Sequence, residues 1–216
     1  MIKLSAFNIK ILAALFMVID HACYILMPNL VILRYIGRLS FPLFAWLLAE
    51  GEKHTRNVNR YGRRLLIAAI ISQPIYILAF RRFSLNILLE LLVGLVMLRL
   101  IRRYPQLWQQ LAIVALCAAS AKIFHCEYGA YGIGVIFLMS LTDKLKPHIW
   151  ALYWCIFHLV ALITSVDSLT QNWAILAGII VFQFNGQQGP RARWFYVFYP
   201  VHLLILGIIH YLITYK

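Results

Sequence analysis

Asp20 and His21 stand side by side in an apolar run from Ile9 to Met27, where neither folding nor solubility calls for them. An imidazole, with an unperturbed pKa of about 6.5, can take a proton from a nucleophile and return it near neutral pH. An ionisable side chain in a transmembrane segment costs roughly 2.5 to 3.5 kcal/mol, so such residues tend to line cavities or pathways. The plainer reading is an interhelical hydrogen bond, which explains a lone intramembrane histidine better than an adjacent Asp-His pair. Neighbours on a helix point about 100 degrees apart. Asp20 is therefore not assumed to orient His21, and Arg38, in the next apolar run, is the charge available to pair with it. His202 is a second candidate base, and Asn86 and Glu90 add polar groups to a fourth run. Arg38 also has the length to snorkel to headgroups instead.

The elements that must carry these residues are membrane helices. The chain has 216 residues, is 63% hydrophobic and only 12% charged, and has a mean hydropathy of +0.80, too apolar for a water-soluble globule. Runs able to cross about 30 Å of hydrocarbon fall at 6–27, 31–51, 63–80, 85–101, 107–124, 128–142, 148–166, 169–185 and 194–214. The expected fold is thus all-α: a polytopic transmembrane bundle of about nine helices, in one integral-membrane domain covering 1–216. The sixth run is short and carries Gly129, Gly132 and Gly134, a close-packing face; without it the count is eight. Asp20 and His21 interrupt what would otherwise be a signal-peptide core, and no small-residue cleavage site follows, so the first helix is expected to be retained. Pro42, Pro74 and Pro200 lie deep in apolar runs and tend to kink their helices.

A net charge of +13 would suggest a nucleic-acid partner in a soluble domain, but here the basic residues fall between apolar runs and report topology. With nine spans, fourteen of the Lys and Arg residues lie at the end that holds the N-terminus and six, Arg34, Arg38, Arg81, Arg82, Lys122 and Lys216, at the other. That split puts the N-terminus in the cytoplasm and the C-terminus outside. At 1.5 Å per residue, Asp20 and His21 lie about 21 Å from the cytoplasmic side, Arg38 about 12 Å below the outer surface and His202 about 12 Å from the inner face, a polar column through much of the bilayer.

The densest basic segment runs from Lys53 to Arg64 and holds His54, Arg56, Arg60, Arg63 and Arg64. A topogenic loop that also attracts anionic lipid explains it; so does a site for a phosphorylated ligand, since guanidinium forks match phosphate oxygens. His125-Cys126-Glu127 has no second ligand pair, so no metal is expected. Cys23, Cys117, Cys126 and Cys155 form no C-x-x-C and read as inert, and His148, His158 and His210 read as interfacial or packing residues.

Several segments together resemble the TraX family of conjugal-transfer membrane proteins. They are Val18-Ile19-Asp20-His21, Tyr35-Ile36-Gly37-Arg38-Leu39-Ser40-Phe41-Pro42 with Phe44-Ala45-Trp46, Glu50-Gly51, His54-Thr55-Arg56-Asn57, Ser72-Gln73-Pro74, Asn86 with Gly94, Tyr128-Gly129 with Gly132 and Gly134, and Phe198-Tyr199-Pro200-Val201-His202. Glu90 departs from that pattern, which expects a small hydroxyl residue. The resemblance implies a bacterial inner-membrane acyltransferase that moves an acetyl group from acetyl-CoA to an amine, the N-terminus of a pilin subunit. On that reading His54, Arg56, Arg60, Arg63 and Arg64 hold the CoA phosphates, and His21 is the base with His202 as its alternative. Asp20 pairs with Arg38, and Arg38 or Asn86 stabilises the oxyanion. A proton-coupled transporter or channel relaying through Asp20, His21, Glu90 and His202, and a non-catalytic pilus assembly factor, are the rival readings.

Overall fold

The structure is a computed structural model, and it describes residues 3–164, 168–192 and 194–214. Arg193 and Lys216, counted above for the two ends, lie outside the described residues, as does Val166 at the end of the seventh run. All nine apolar runs are helical over most of their length, and the described residues contain no strand.

Ser5 starts α1 (Ala6–Leu26) by accepting a hydrogen bond from the Asn8 amide, and Met27 closes it by donating to the Cys23 carbonyl. The second run divides into α2 (Val31–Gly37) and α3 (Ser40–His54). Pro42 falls in the first turn of α3, where its missing N–H costs nothing, so the chain restarts there instead of kinking. Next come α4 (Val58–Phe80), α5 (Ile87–Arg103), α6 (Leu107–Ile123), α7 (Gly129–Met139) and α8 (Pro147–Thr164). Pro74 lies within an uninterrupted α4. The eighth run breaks into α9 (Ser168–Asn172), a 3-10 turn (Trp173–Leu176) and α10 (Ala177–Val181), and the Ile175 carbonyl in that turn accepts a bond from Trp154 Nε1 at 2.9 Å. Last is α11 (Phe195–Thr214), continuous through Pro200.

Among the described residues, five helical stretches are long and apolar enough to cross a membrane: Ala6–Leu26, Val31–His54, Val58–Phe80, Pro147–Thr164 and Phe195–Thr214. Their outward faces present large apolar side chains such as Ile70, Leu78, Ile163 and Ile213, as lipid rather than water requires. At about 16 Å, α7 is shorter than the hydrocarbon core. It packs closely through its glycines, with Gly132 against Glu90 and Gly134 against Phe157, and a Cβ at either would overlap its neighbour.

Contacts between connections sort the element ends onto two faces. At one, Leu4 donates to Gln183 (2.8 Å) and Lys53 pairs with Asp143 (2.9 Å), while Glu52 meets Arg99 and Arg102. At the other, Leu85 donates to His125 at 2.9 Å. Alternation through nine elements puts each of these pairs on a common side. The first face carries most of the basic residues and is called the basic end below.

Candidate functional site

Four side chains of the expected polar column form two bonded pairs. Arg38 follows the last residue of α2, and its guanidinium meets the Asp20 carboxylate of α1 in a salt bridge. The two helices approach closely because position 37 is glycine; a Cβ there would overlap the Asp20 Cβ and backbone. The rest of the guanidinium reaches a hydrogen-bonded line. Arg38 Nη1 donates to Gln171 Oε1 (3.2 Å), Gln171 Nε2 donates to the Tyr131 hydroxyl (3.2 Å), and Tyr131 in turn donates to His158 Nε2 (3.3 Å). His158 Nδ1 is engaged by the Trp154 carbonyl, which fixes its tautomer.

The second pair is His21 and His202. His202 Nδ1 donates to the Phe198 carbonyl at 2.9 Å, as an i to i−4 bond on α11, so its Nε2 carries a lone pair. That nitrogen lies 2.8 Å from His21 Nδ1, which must donate. His21 Nε2 is left with its lone pair, and no hydrogen bond engages it among the described residues. The two histidines are therefore not interchangeable: His21 presents the free base and His202 orients it. Counting residues from helix ends puts the pair about 9 Å apart in depth. Their contact means that α11 starts deeper in the bundle than α1.

Below His21 lies a cavity of about 260 Å³. It reaches the surface at the basic end beside exposed Arg64, with Lys10, Gly51 and Thr55, and ends against Met17, Ile87 and Tyr199. Lys10 to Met17 on α1 is about 10 Å of helix and Phe44 to Thr55 on α3 about 16 Å, so the cavity runs lengthwise. Met17, Phe44 and Ile87 also line a small space of about 30 Å³ bounded by Asp20, His21, Ser40, Glu127 and Tyr128. One helical turn, about 5.4 Å, separates Met17 from His21. Four buried polar atoms of this centre make no hydrogen bond of ordinary geometry among the described residues: Asp20 Oδ1, Arg38 Nε, Glu127 Oε2 and the Tyr199 hydroxyl, the last two lying by the Ile87 amide. Each such orphan calls for an explanation: stored strain, a bound water or ion, or a catalytic role.

Other expected residues sit elsewhere. Both amide hydrogens of Asn86 are committed, to the Ala69 carbonyl and Gln73 Oε1 at 2.8 Å each, while its oxygen caps α5 at Leu88. It holds α4 to α5 and has no donor left for an oxyanion. Glu90 accepts from the Tyr128 amide at 2.7 Å and tethers the start of α7, apart from the His21–His202 pair. Of the five basic-loop residues, only Arg64 lines the cavity, stacked over Tyr61 and Tyr196. His54 is tied to Glu50 and Gln188, Arg56 and Arg60 are exposed away from the cavity, and Arg63 borders a separate groove with Arg99. Sequence reasoning missed Lys10, Gln171 and Tyr199. The signals were a lysine inside the first run, a polar Thr170-Gln171-Asn172 cluster in the eighth, and a tyrosine three residues before His202, on the same helix face.

Helices long enough to cross a membrane, enclosing buried ion and histidine pairs at the head of a lengthwise cavity, define a polytopic membrane protein with an intramembrane polar centre. The family described as TraX protein matches residues 5–210, and the chain belongs to that family. Among curated proteins it is 31% identical to "Probable fimbrial assembly protein FimC, serogroup H1" of Dichelobacter nodosus, over 95% of each chain. It is also 26% identical to "Protein TraX" of Escherichia coli, over 93% of this chain and 85% of that one. No solved structure matches.

Proposed function

We propose that the protein is an acetyltransferase of the bacterial inner membrane, its basic end in the cytoplasm, moving an acetyl group from acetyl-CoA to an amine, the N-terminus of a pilin subunit. The observation that carries this reading is the cavity leading from Arg64 and Lys10 to within a turn of a histidine whose outer nitrogen is a free base. A pilus-related acceptor accords with the family and with the name of the fimbrial relative.

On this reading the CoA phosphates meet Arg64 and Lys10, and the pantetheine arm lies along Leu47, Leu48 and Leu91, bringing the thioester to Met17 and Tyr199. His21 Nε2 removes a proton as the amine nitrogen attacks the thioester carbon, and His202 Nε2 stabilises the imidazolium through the Nδ1–H bond. Charge gathers on the thioester oxygen, to which the Tyr199 hydroxyl at the end of the cavity can donate. Collapse forms the amide and expels the CoA thiolate, which takes up the proton. The Asp20–Arg38 pair, braced by Gln171, fixes α1 against α2 so that His21 faces the cavity.

The proton-relay alternative needs Asp20, His21, Glu90 and His202 in one line; His21 and His202 do share a hydrogen bond, but Asp20 is held by Arg38, whose guanidinium does not give up its proton, and Glu90 by the Tyr128 amide. Turnover of acetyl-CoA by purified protein tests the reading. His21→Ala should reduce it about 100-fold or more with the protein intact. Near-normal turnover in that variant, or substrate flux without acylation, would defeat it.

A further inference from the structure

At the end of the bundle opposite the basic loop, a pocket of about 390 Å³ opens between the C-terminal ends of α1, α4 and α11. Arg34, Arg81 and His210 line it, and no carboxylate of the described residues does. The guanidinium carbons of Arg34 and Arg82 lie 5.3 and 5.1 Å from the centroid of the same Tyr24 ring. Arg34 Nε is buried without an acceptor. Arg81 holds a left-handed backbone, φ 52°, at the cap of α4, a conformation that arginine rarely adopts. Two guanidiniums thus meet one aromatic ring and a third, that of Arg81, lines the same pocket, and among the described residues no carboxylate forms a salt bridge with any of them. Topogenesis does not explain them, because under the positive-inside rule basic residues are expected at the opposite end.

We propose that this pocket binds the phosphate of an anionic phospholipid from the outer leaflet. Guanidinium forks suit phosphate oxygens, and a lipid is favoured as the source because the pocket is flanked by outward-facing Ile32, Leu78 and Phe83, 71%, 78% and 90% exposed, along which acyl chains would lie. The site adjoins the polar centre: Phe80 lines the pocket, and its ring packs edge-on against His21 at 5.0 Å. The inference does not depend on the acetyltransferase reading.

The test is native mass spectrometry of delipidated protein titrated with phosphatidylglycerol, with phosphatidylcholine and with inorganic phosphate. The wild type should take up one phosphatidylglycerol in preference to phosphatidylcholine, and millimolar inorganic phosphate should not displace it. At roughly fivefold per arginine, Arg34→Gln, Arg81→Gln and Arg82→Gln together should weaken binding on the order of 100-fold. Arg82→Gln alone, at an exposed position, should show a several-fold loss if the triple variant does not fold, whereas Lys122→Gln, an exposed charge at the same end, should leave binding unchanged. Equal phosphatidylglycerol affinity in wild type and Arg82→Gln, equal loss in Lys122→Gln, full displacement by inorganic phosphate, or displacement by an acidic peptide would each overturn the proposal.

Discussion

Asp20 and Arg38 form the ion pair at the head of the cavity, and cutting their contact has a cost that the structure bounds. Their side chains are only 11% and 14% exposed, so removing one partner leaves a charge that water cannot reach. Breaking such a buried pair costs about 3 to 5 kcal/mol. Asp20→Asn should fall at the lower end, about 3 kcal/mol, because Arg38 keeps its bond to Gln171. Arg38→Met should fall at the upper end, about 5 kcal/mol, since it strands Asp20 and releases Gln171 as well. Asp20→Asn with Arg38→Met removes both charges, and the double variant should be more stable than the sum of the singles by at least about 2 kcal/mol. Detergent-solubilised protein titrated with denaturing detergent, followed by tryptophan fluorescence, measures all three. Additivity within about 0.5 kcal/mol would refute the direct pairing.

Three further outcomes follow from the site. Lys10→Gln with Arg64→Gln should raise the KM for acetyl-CoA while changing kcat less, the pattern of lost ground-state binding, whereas Arg56→Gln with Arg60→Gln and Arg63→Gln should change it little; steady-state kinetics of inserted variants would contradict the cavity assignment if the second set had the larger effect. Tyr199→Phe should lower kcat about 100-fold with an unchanged KM, the scale of one lost oxyanion donor; an unaltered kcat would remove Tyr199 from the mechanism. Reporter fusions after Arg56 and after Lys216 should lie on opposite sides of the membrane, and finding both in the cytoplasm would mean that α7 does not count as a crossing.

The helices were legible because each apolar run is bounded by its own charged or capping residues, as Ser5 and Met27 bound α1. Their internal breaks were less so. Pro42 marks where the second run restarts only once the turn before it is known, and the 3-10 turn at Trp173 depends on a bond from Trp154 on another helix. Asp20, His21, Arg38 and His202 stood out because charge in an apolar run needs a reason, and the Asp20–Arg38 contact follows from Gly37 beside it. The His21–His202 bond was hidden because residue counting assumes that every helix starts at the same depth. The basic loop misled in a different way. Charge density along the chain marks one end of the bundle, but which arginine meets the cavity depends on face and depth together: Arg60 and Arg64 are about a turn apart on one face of α4, and of the two only Arg64, further in, lines the cavity, while Arg63 turns to the groove beside Arg99.

The central claim is that His21, oriented by His202, drives acetyl transfer to an amine terminus. Its most direct test is mass spectrometry of pilin N-termini from membranes carrying the wild type, His21→Ala or no copy of this protein, supplied with isotopically labelled acetyl-CoA. The account predicts the labelled acetyl group on the terminal amine with the wild type alone. Labelled pilin in all three membranes, or in none, would contradict it.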